Sequence, residues 1–222
     1  MNLPDPKICI VFNSGSCGDF LAALISQQLD ATDITINTIT GAAENIAAQE
    51  FKEAAKEYYK SKFNPDKFNN VANTTVVNTH YCGTELMNLF PNCKFYYIDD
   101  SEFIDESVQV YIKKRVTTKY DSLLDWFHNF PNVFTHITSR IKNIDEEKIL
   151  QFMRRDWHRN VTVWKQLGIP AIALRDVVGE KSCKQIVKNI IQSEVDEFMF
   201  TASFTNWAEK NKELIEQISE HK

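Results

Sequence analysis

The sequence is short of glycine and proline, with six of each in 222 residues. Long disordered linkers are rich in these residues, so their scarcity argues against a chain of loosely tethered segments. The sequence also contains no internal repeat, low-complexity tract or abrupt change of composition. Since this length suits one large α/β domain, we predict a single domain that spans residues 1–222.

The five cysteines form no Cys-x-x-Cys pair and no other zinc-like spacing. Their odd number and scattered positions indicate reduced thiols, so the sequence predicts neither a disulfide framework nor a metal site. The chain also lacks an N-terminal apolar signal core and any apolar run of membrane-spanning length. We therefore expect a cytoplasmic protein without membrane contact.

An excess of basic residues is also missing, because the formal net charge is −5. Broad, sequence-independent binding to nucleic acid requires a basic face. The charge balance thus argues against nucleic acid as a partner. It leaves room for a small basic pocket that holds an anionic ligand.

What the sequence does contain is an alternation of apolar strands and helices, which is typical of parallel β-α-β units. We predict an α/β three-layer sandwich around a mainly parallel sheet of about five strands. The predicted strands cover residues 7–12, 34–39, 74–78, 94–98 and 170–174. The predicted helices cover residues 19–29, 42–63, 99–116 (opened by an Asp99–Glu102 capping box), 121–130, 145–167, 181–191 and 203–218.

The first strand is followed by the loop Asn13-Ser14-Gly15-Ser16-Cys17-Gly18 and then by the first helix. Backbone N–H groups at a helix start have no intrahelical partners, and the helix dipole adds partial positive charge there. Small residues let a phosphate approach the backbone, and the hydroxyls of Ser14 and Ser16 add donors. The loop is thus predicted to cradle an anion. The alternative is a tight turn that uses glycine and serine for geometry alone.

The loop lacks the features of two common phosphate-binding motifs. No lysine lies between Lys7 and Lys52, so the Walker A lysine is missing and ordinary ATP or GTP hydrolysis is not expected. No arginine closes a Cys-x-x-x-x-x-Arg phosphatase loop on Cys17. A helix start can lower a thiol pKa, but we interpret Cys17 as a small structural residue.

His80 comes directly after the predicted strand at 74–78. Side chains at the carboxyl end of a parallel strand point into the crevice where doubly wound folds bind ligands. There a histidine can act as a general base for a hydroxyl group. The alternative is a polar residue that caps the exit from strand to loop.

A strand, a Ser-Gly-Ser loop, a helix and a later strand that ends in Thr-His resemble the sulfotransferases that use 3′-phosphoadenosine 5′-phosphosulfate. In that family a Pro-Lys-Ser-Gly-Thr-Thr loop wraps the 5′-phosphosulfate, and Asn13 to Cys17 take its place here. A Lys-Thr-His segment supplies the catalytic histidine in many members, and Asn78-Thr79-His80 matches it. The resemblance implies a P-loop-like fold, an anionic nucleotide-type donor and a hydroxyl acceptor. It also implies that His80 is the catalytic base and that transfer is direct and in line, without a metal.

The resemblance further implies a 3′-phosphate subsite, which the family builds from an arginine at a strand end and a serine eight residues later. Here Asp99 stands where the arginine should be, and Ser107 lies at the serine position. Residues 171–190 resemble the family's late strand and helix. The implied donor-binding residues are Asn13, Ser14, Gly15, Ser16, Cys17, Gly18 and Ser107.

Three departures leave alternatives open. Asn13 replaces the loop lysine, Asp99 replaces the arginine, and no late Arg-Lys-Gly segment is present. One alternative is a nucleotide- or anion-binding regulatory protein that keeps the fold without catalysis, and another is a nucleotide or nucleoside kinase with an atypical loop. Either another cation substitutes for the missing lysine and arginine, or the cofactor differs. The candidates are Lys113, Lys114, Arg115, Arg154, Arg155 and Arg159.

Overall fold

The computed structural model describes residues 7–29, 35–36, 43–44, 75–80, 82–129 and 144–220. Its strands are β1 (Ile8–Val11), β2 (Thr35–Ile36), β3 (Ala43–Glu44), β4 (Val76–Thr79), β5 (Lys94–Asp99) and β6 (Ala171–Ala173). Its helices are α1 (Gly18–Gln28), α2 (Thr84–Leu89), α3 (Ile104–Tyr111, continued by π-helical Ile112–Val116), α4 (Leu123–Asn129), α5 (Glu146–Gln166), α6 (Leu174–Val178), α7 (Glu180–Ile191), α8 (Glu197–Lys210) and α9 (Lys212–Glu220).

The protein is α/β, with a four-stranded, all-parallel sheet in the order β4-β1-β5-β6. Alternate side chains of the central strand β1 enter two different apolar clusters. Ile8 and Ile10 pack with helices that include α1, whereas Cys9 and Val11 pack with α2 and α5. Helices therefore cover both faces of the sheet, which is compatible with the predicted three-layer sandwich. No helix in the described ranges combines the length and the apolar character that crossing a membrane requires.

The long helix α5 follows the predicted pattern closely. The Asp145 side chain caps it by accepting a hydrogen bond from the Lys148 N–H at 2.9 Å. Its apolar residues recur every three or four positions and are buried, as expected for one face of an amphipathic helix. These residues are Ile149, Met153, Trp157, Val161 and Trp164.

Two predictions in the first half of the chain are wrong. Residues 43–44 form a strand that pairs antiparallel with residues 35–36, so the predicted helix does not begin at residue 42. The rest of that prediction lies outside the described residues. The Asp99–Glu102 capping box is also wrong, because Asp99 ends β5 and accepts a hydrogen bond from the Ser101 N–H at 3.0 Å. The helix that follows begins at Ile104.

The last predicted helix, residues 203–218, is two helices that begin earlier and break at Asn211. The buried Asn211 amide donates to the Trp207 carbonyl at 2.8 Å and accepts from Lys114 Nζ at 2.6 Å. The Trp207 carbonyl thus accepts from the Asn211 side chain as well as from its backbone N–H at 3.1 Å. The sequence analysis missed the short helices α2 and α6, and Leu174 lies in α6 instead of the predicted strand.

Candidate functional site

The candidate site lies where three neighbouring parallel strands end. Asn13 opens the loop close after β1, His80 follows β4, and Asp100 follows β5. Because β4 and β5 flank β1 in parallel register, their carboxyl ends lie at the same edge of the sheet. Ligands of open α/β sheets bind at this edge.

The loop from Asn13 to Gly18 is a tight turn. The Asn13 carbonyl accepts hydrogen bonds from the Ser16 N–H at 3.1 Å and from the Ser16 hydroxyl at 2.7 Å. Ser16 is fully buried, so its hydroxyl closes the turn and is not directed at a ligand. Ser14 is partly exposed, and its hydroxyl is the donor that this conformation offers on the open side of the loop.

Gly15 lies directly against helix α3. Its φ is +93°, a conformation that favours glycine. A Cβ at this position would lie 2.1 Å from the Ser107 carbonyl oxygen, far inside van der Waals contact. The main chain of Ser107 is therefore the part of α3 that lies nearest to Gly15.

The start of α1 lies at the end of the loop. Cys17, the N-cap residue, has φ 62°, and no side chain caps the helix. The first helical hydrogen bond runs from the Leu21 N–H to the Cys17 carbonyl at 3.1 Å. Within the described part of the chain, the amides of Gly15, Cys17 and Gly18 donate no hydrogen bond. The loop is thus both a tight turn and a set of backbone donors at a helix N-terminus.

The pKa of the Cys17 thiol indicates which charges surround the loop. This pKa is raised to about 12, mainly by burial and to a smaller extent by Asp19 and Asp100, while Lys114 lowers it. The thiol is therefore protonated at neutral pH, which agrees with its interpretation as a structural residue. Asp19 accepts a hydrogen bond from the side-chain amide of Asn78, at the end of β4.

His80 is oriented toward the loop. Its Nδ1 lies 2.8 Å from the Phe12 carbonyl oxygen, and the Phe12 ring packs edge-on against the imidazole at 4.4 Å between centroids. A carbonyl can only accept, so Nδ1 carries the proton and the neutral ring has its lone pair on Nε2. Nε2 lies 3.5 Å from Ser14 Oγ, at the outer limit of a hydrogen bond. The structure thus brings together two of the predicted site residues, Ser14 and His80.

Asn13, where the sulfotransferase loop has lysine, faces inward. It is 1% exposed, and its Nδ2 donates to Asp100 Oδ1 at 2.9 Å and to the Trp157 carbonyl at 3.3 Å. Its Oδ1 accepts from Asn160 Nδ2 at 3.0 Å. Both ends of the amide are therefore occupied by protein groups. In this conformation Asn13 anchors the loop to β5 and α5 and does not face a ligand.

Asp100, which the sequence analysis did not single out, lies behind the loop. Asp100 and Ser107 are both fully buried. Asp100 Oδ2 and Ser107 Oγ each lack a hydrogen-bond partner of good geometry among the described residues, although the Ser107 hydroxyl is close enough to favour the ionised carboxyl. Burial nevertheless raises the pKa of Asp100 to about 6. The sequence feature that could have identified Asp100 is its position directly after a strand, which is also the feature that indicated His80.

The candidate cations have different partners in the structure. Lys113 pairs with Glu213, and Arg154 pairs with Asp105. Lys114 bonds the neutral Asn211 amide and also acts electrostatically on Cys17 in the loop. The Arg155 guanidinium lies over the Phe152 ring, 4.8 Å from its centroid. A surface cavity of about 250 Å³ on α5 is lined by Lys148, Gln151, Phe152 and Arg155.

That cavity contains none of the loop residues, so we do not identify it with the candidate site. The description does not cover the Arg115 side chain. Lys114 is thus a candidate cation that lies near enough to the loop to lower the pKa of Cys17.

Comparison with protein-family models, curated proteins and solved structures found no match to this chain. The resemblance to sulfotransferases therefore rests on the motifs at 13–17 and 78–80 and remains a prediction.

Proposed function

We propose that the chain is a divergent sulfotransferase-like enzyme that transfers a sulfuryl group from 3′-phosphoadenosine 5′-phosphosulfate to a hydroxyl acceptor. The observation that carries this proposal is the orientation of His80. Its Nδ1–H is held by the Phe12 carbonyl, and its Nε2 lone pair faces the loop near Ser14. A general base needs this combination of a fixed tautomer and a lone pair aimed at the reacting group.

In the proposed reaction, the loop from Ser14 to Gly18 holds the phosphosulfate of the donor with backbone N–H groups. Nε2 of His80 takes the proton of the acceptor hydroxyl as the acceptor oxygen bonds to sulfur. The bond between sulfur and the bridging phosphate oxygen breaks, and 3′-phosphoadenosine 5′-phosphate leaves. Nε2 lies 3.5 Å from Ser14 Oγ, which places the proposed base next to the loop that would hold the donor.

The charge that develops on the leaving oxygen requires a cation, since Asn13 is buried and neutral. Lys114 fits this role in the proposal, because it acts electrostatically on Cys17 and is bonded to a neutral amide. Lys113 is a matched control for Lys114, since it directly precedes Lys114 in the sequence and is paired with Glu213.

A second candidate function is an anion- or nucleotide-binding protein of the same fold without catalysis. Asn13 favours it, because both ends of its amide are bonded to protein groups where the family requires a free lysine. The buried Ser107 points the same way. A 3′-phosphate reaches its hydroxyl only if the loop or α3 moves.

Thermal-shift measurements with sulfate, adenosine 5′-phosphate and 3′-phosphoadenosine 5′-phosphate test the site. A ligand at about 100 times its Kd adds roughly 2.7 kcal/mol to the free energy of unfolding. We expect all three anions to stabilise the protein, and Lys114→Gln to weaken binding more than Lys113→Gln. If none of the anions stabilises the protein, the proposal is wrong.

The same ligands separate the two candidates. A clear preference for the 3′-phosphorylated nucleotide, together with turnover of the phosphosulfate donor, supports the enzyme. Equal stabilisation by both nucleotides without turnover supports the binding protein and excludes a working 3′-phosphate subsite.

A further inference from the structure

We propose that Asp100 makes anion binding at the loop proton-linked, so that the site takes up a proton together with its anion. This inference rests on the proposed anion site and concerns its regulation. It starts from the position of a buried carboxyl group behind the backbone donors of the loop.

The carboxyl group is held firmly in place. Asp100 Oδ1 accepts from Asn13 Nδ2 at 2.9 Å, and Asn13 is in turn fixed by Asn160. The loop packs against α3, since a Cβ at Gly15 would lie 2.1 Å from the Ser107 carbonyl oxygen. Asp100 is fully buried, so water does not screen its charge from the loop.

The second carboxylate oxygen is available for a proton. Asp100 Oδ2 and Ser107 Oγ are buried side-chain atoms that lack a well-formed hydrogen bond within the described ranges. A protonated carboxyl can donate from Oδ2 to the serine hydroxyl, which satisfies both atoms and removes the charge. Burial raises the pKa of Asp100 to about 6, although the side chains of Asn13 and Ser107 favour the ionised form.

The charges around Asp100 come from several elements. Asp99, the last residue of β5, raises the pKa of Asp100. The loop contributes the neutral thiol of Cys17, on which Asp19 and Lys114 also act. The groups that face it from α3 and α5 are uncharged. They are the Ser107 hydroxyl and, through Asn13, the Asn160 amide and the Trp157 carbonyl.

The sign of the coupling follows from linkage. An anion at the loop repels an ionised Asp100, so the pKa of Asp100 is higher with anion bound than without. Binding therefore takes up protons at pH values between the free and the bound pKa. Affinity for a divalent anion increases as the pH falls through this window, which begins near the free value of about 6 and extends upward.

Sulfate is a suitable probe because it does not titrate near neutral pH. Histidine does titrate there, so calorimetry is best done in the His80→Asn variant, with and without Asp100→Asn. Titrations in buffers of different ionisation enthalpy give the number of protons taken up. If bound sulfate raises the pKa of Asp100 by one unit, we expect about half a proton near pH 6.5 and about tenfold tighter binding at pH 5 than at pH 8.

The additional Asp100→Asn substitution should abolish proton uptake and flatten the affinity profile, whereas Asp99→Asn in the same background should retain both. Sulfate binding with no proton uptake, or with uptake that survives Asp100→Asn, overturns the inference and leaves the proposed function standing. Absence of sulfate binding at every pH overturns the proposed function and this inference with it. Carboxyl-carbon NMR of the unliganded protein is a second test, and titration of Asp100 below about pH 4 contradicts the inference.

Discussion

The two strands that flank β1 end in side chains of contrasting character. His80, after β4, is partly exposed, and its Nδ1 lies against the Phe12 main-chain carbonyl. Asp100, after β5, is fully buried and bonded to a side chain of the loop. Both occupy the place where parallel strands deliver ligand-binding groups, so position alone does not determine their roles. The packing of α3 and α5 on the Asp100 side leaves His80 partly exposed and Asp100 buried.

The largest expected effect concerns His80, the partly exposed residue of the pair. His80→Asn removes the proposed base but keeps a polar group of similar hydrogen-bonding capacity. A positioned general base contributes about a hundred- to ten-thousandfold in rate, so any transferase activity should fall at least a hundredfold. Affinity for the donor should stay within a few-fold, because the backbone amides of the loop remain. Steady-state kinetics and thermal shifts on the same samples measure both, and a loss of activity below tenfold would remove the enzymatic role of His80.

The next effect concerns the contact between the loop and the β5 side. Gly15→Ala places a Cβ 2.1 Å from a main-chain oxygen of α3, at a φ that also strains alanine. We expect a loss of at least about 3 kcal/mol in the free energy of unfolding. The Ser107 main chain cannot shift without disturbing α3, and the loop at Gly15 cannot shift without disturbing the start of α1.

Gly168→Ala is the matched control, because Gly168 has φ +71° and a Cβ added there would meet no atom of the described residues within 4 Å. It should lose only about 1 to 2 kcal/mol from backbone strain. Equal losses at the two positions in denaturant unfolding would mean that Gly15 is not pressed against α3.

Because Asp100 is buried, we also expect that removing its charge stabilises the folded protein. The pKa of Asp100 is raised in the folded state, so its contribution is most favourable at low pH and is lost as the pH rises through about 6. A shift of about two pKa units corresponds to roughly 3 kcal/mol. Asp100→Asn should therefore raise the free energy of unfolding by about 2 to 3 kcal/mol at pH 8 and leave it nearly unchanged at pH 4.

Asp99→Asn is the control for the pH dependence, since it lies beside Asp100 and keeps an oxygen that can accept from the Ser101 N–H. Its effect should stay within about 1 kcal/mol at either pH. A destabilised Asp100→Asn variant at pH 8 would show that the ionised carboxylate is a structural partner of Asn13 and not a stored charge.

The sequence was informative where a pattern is local. The spacing of apolar residues predicted α5, and the position after a strand predicted where His80 would lie. The buried side of the site was not predictable in this way. Its key hydrogen bond joins Asn13 to a residue 87 positions away, and the burial of Ser107 depends on how α3 packs on the loop. Asn13 looked like a ligand because the adjacent serines and glycines fit an anion loop, whereas its partners become visible only in three dimensions.

The smallest expected effect tests whether α5 holds the buried side in place. Asn160 Nδ2 donates to Asn13 Oδ1 at 3.0 Å, so Asn160→Ala leaves that oxygen without its donor in a buried environment. We expect a loss of about 1 to 2 kcal/mol in the free energy of unfolding, since an unsatisfied buried acceptor is unfavourable. Gln166→Ala on the same helix is the control, because Gln166 is exposed and should stay within about 0.5 kcal/mol. Amide hydrogen exchange in the segment 13–18 should increase in Asn160→Ala, while exchange at 76–79 stays unchanged. If exchange in the segment 13–18 does not increase in Asn160→Ala, Asp100 and the Trp157 carbonyl hold Asn13 without help from Asn160. The anchor of the loop would then lie at the end of β5 instead of in α5.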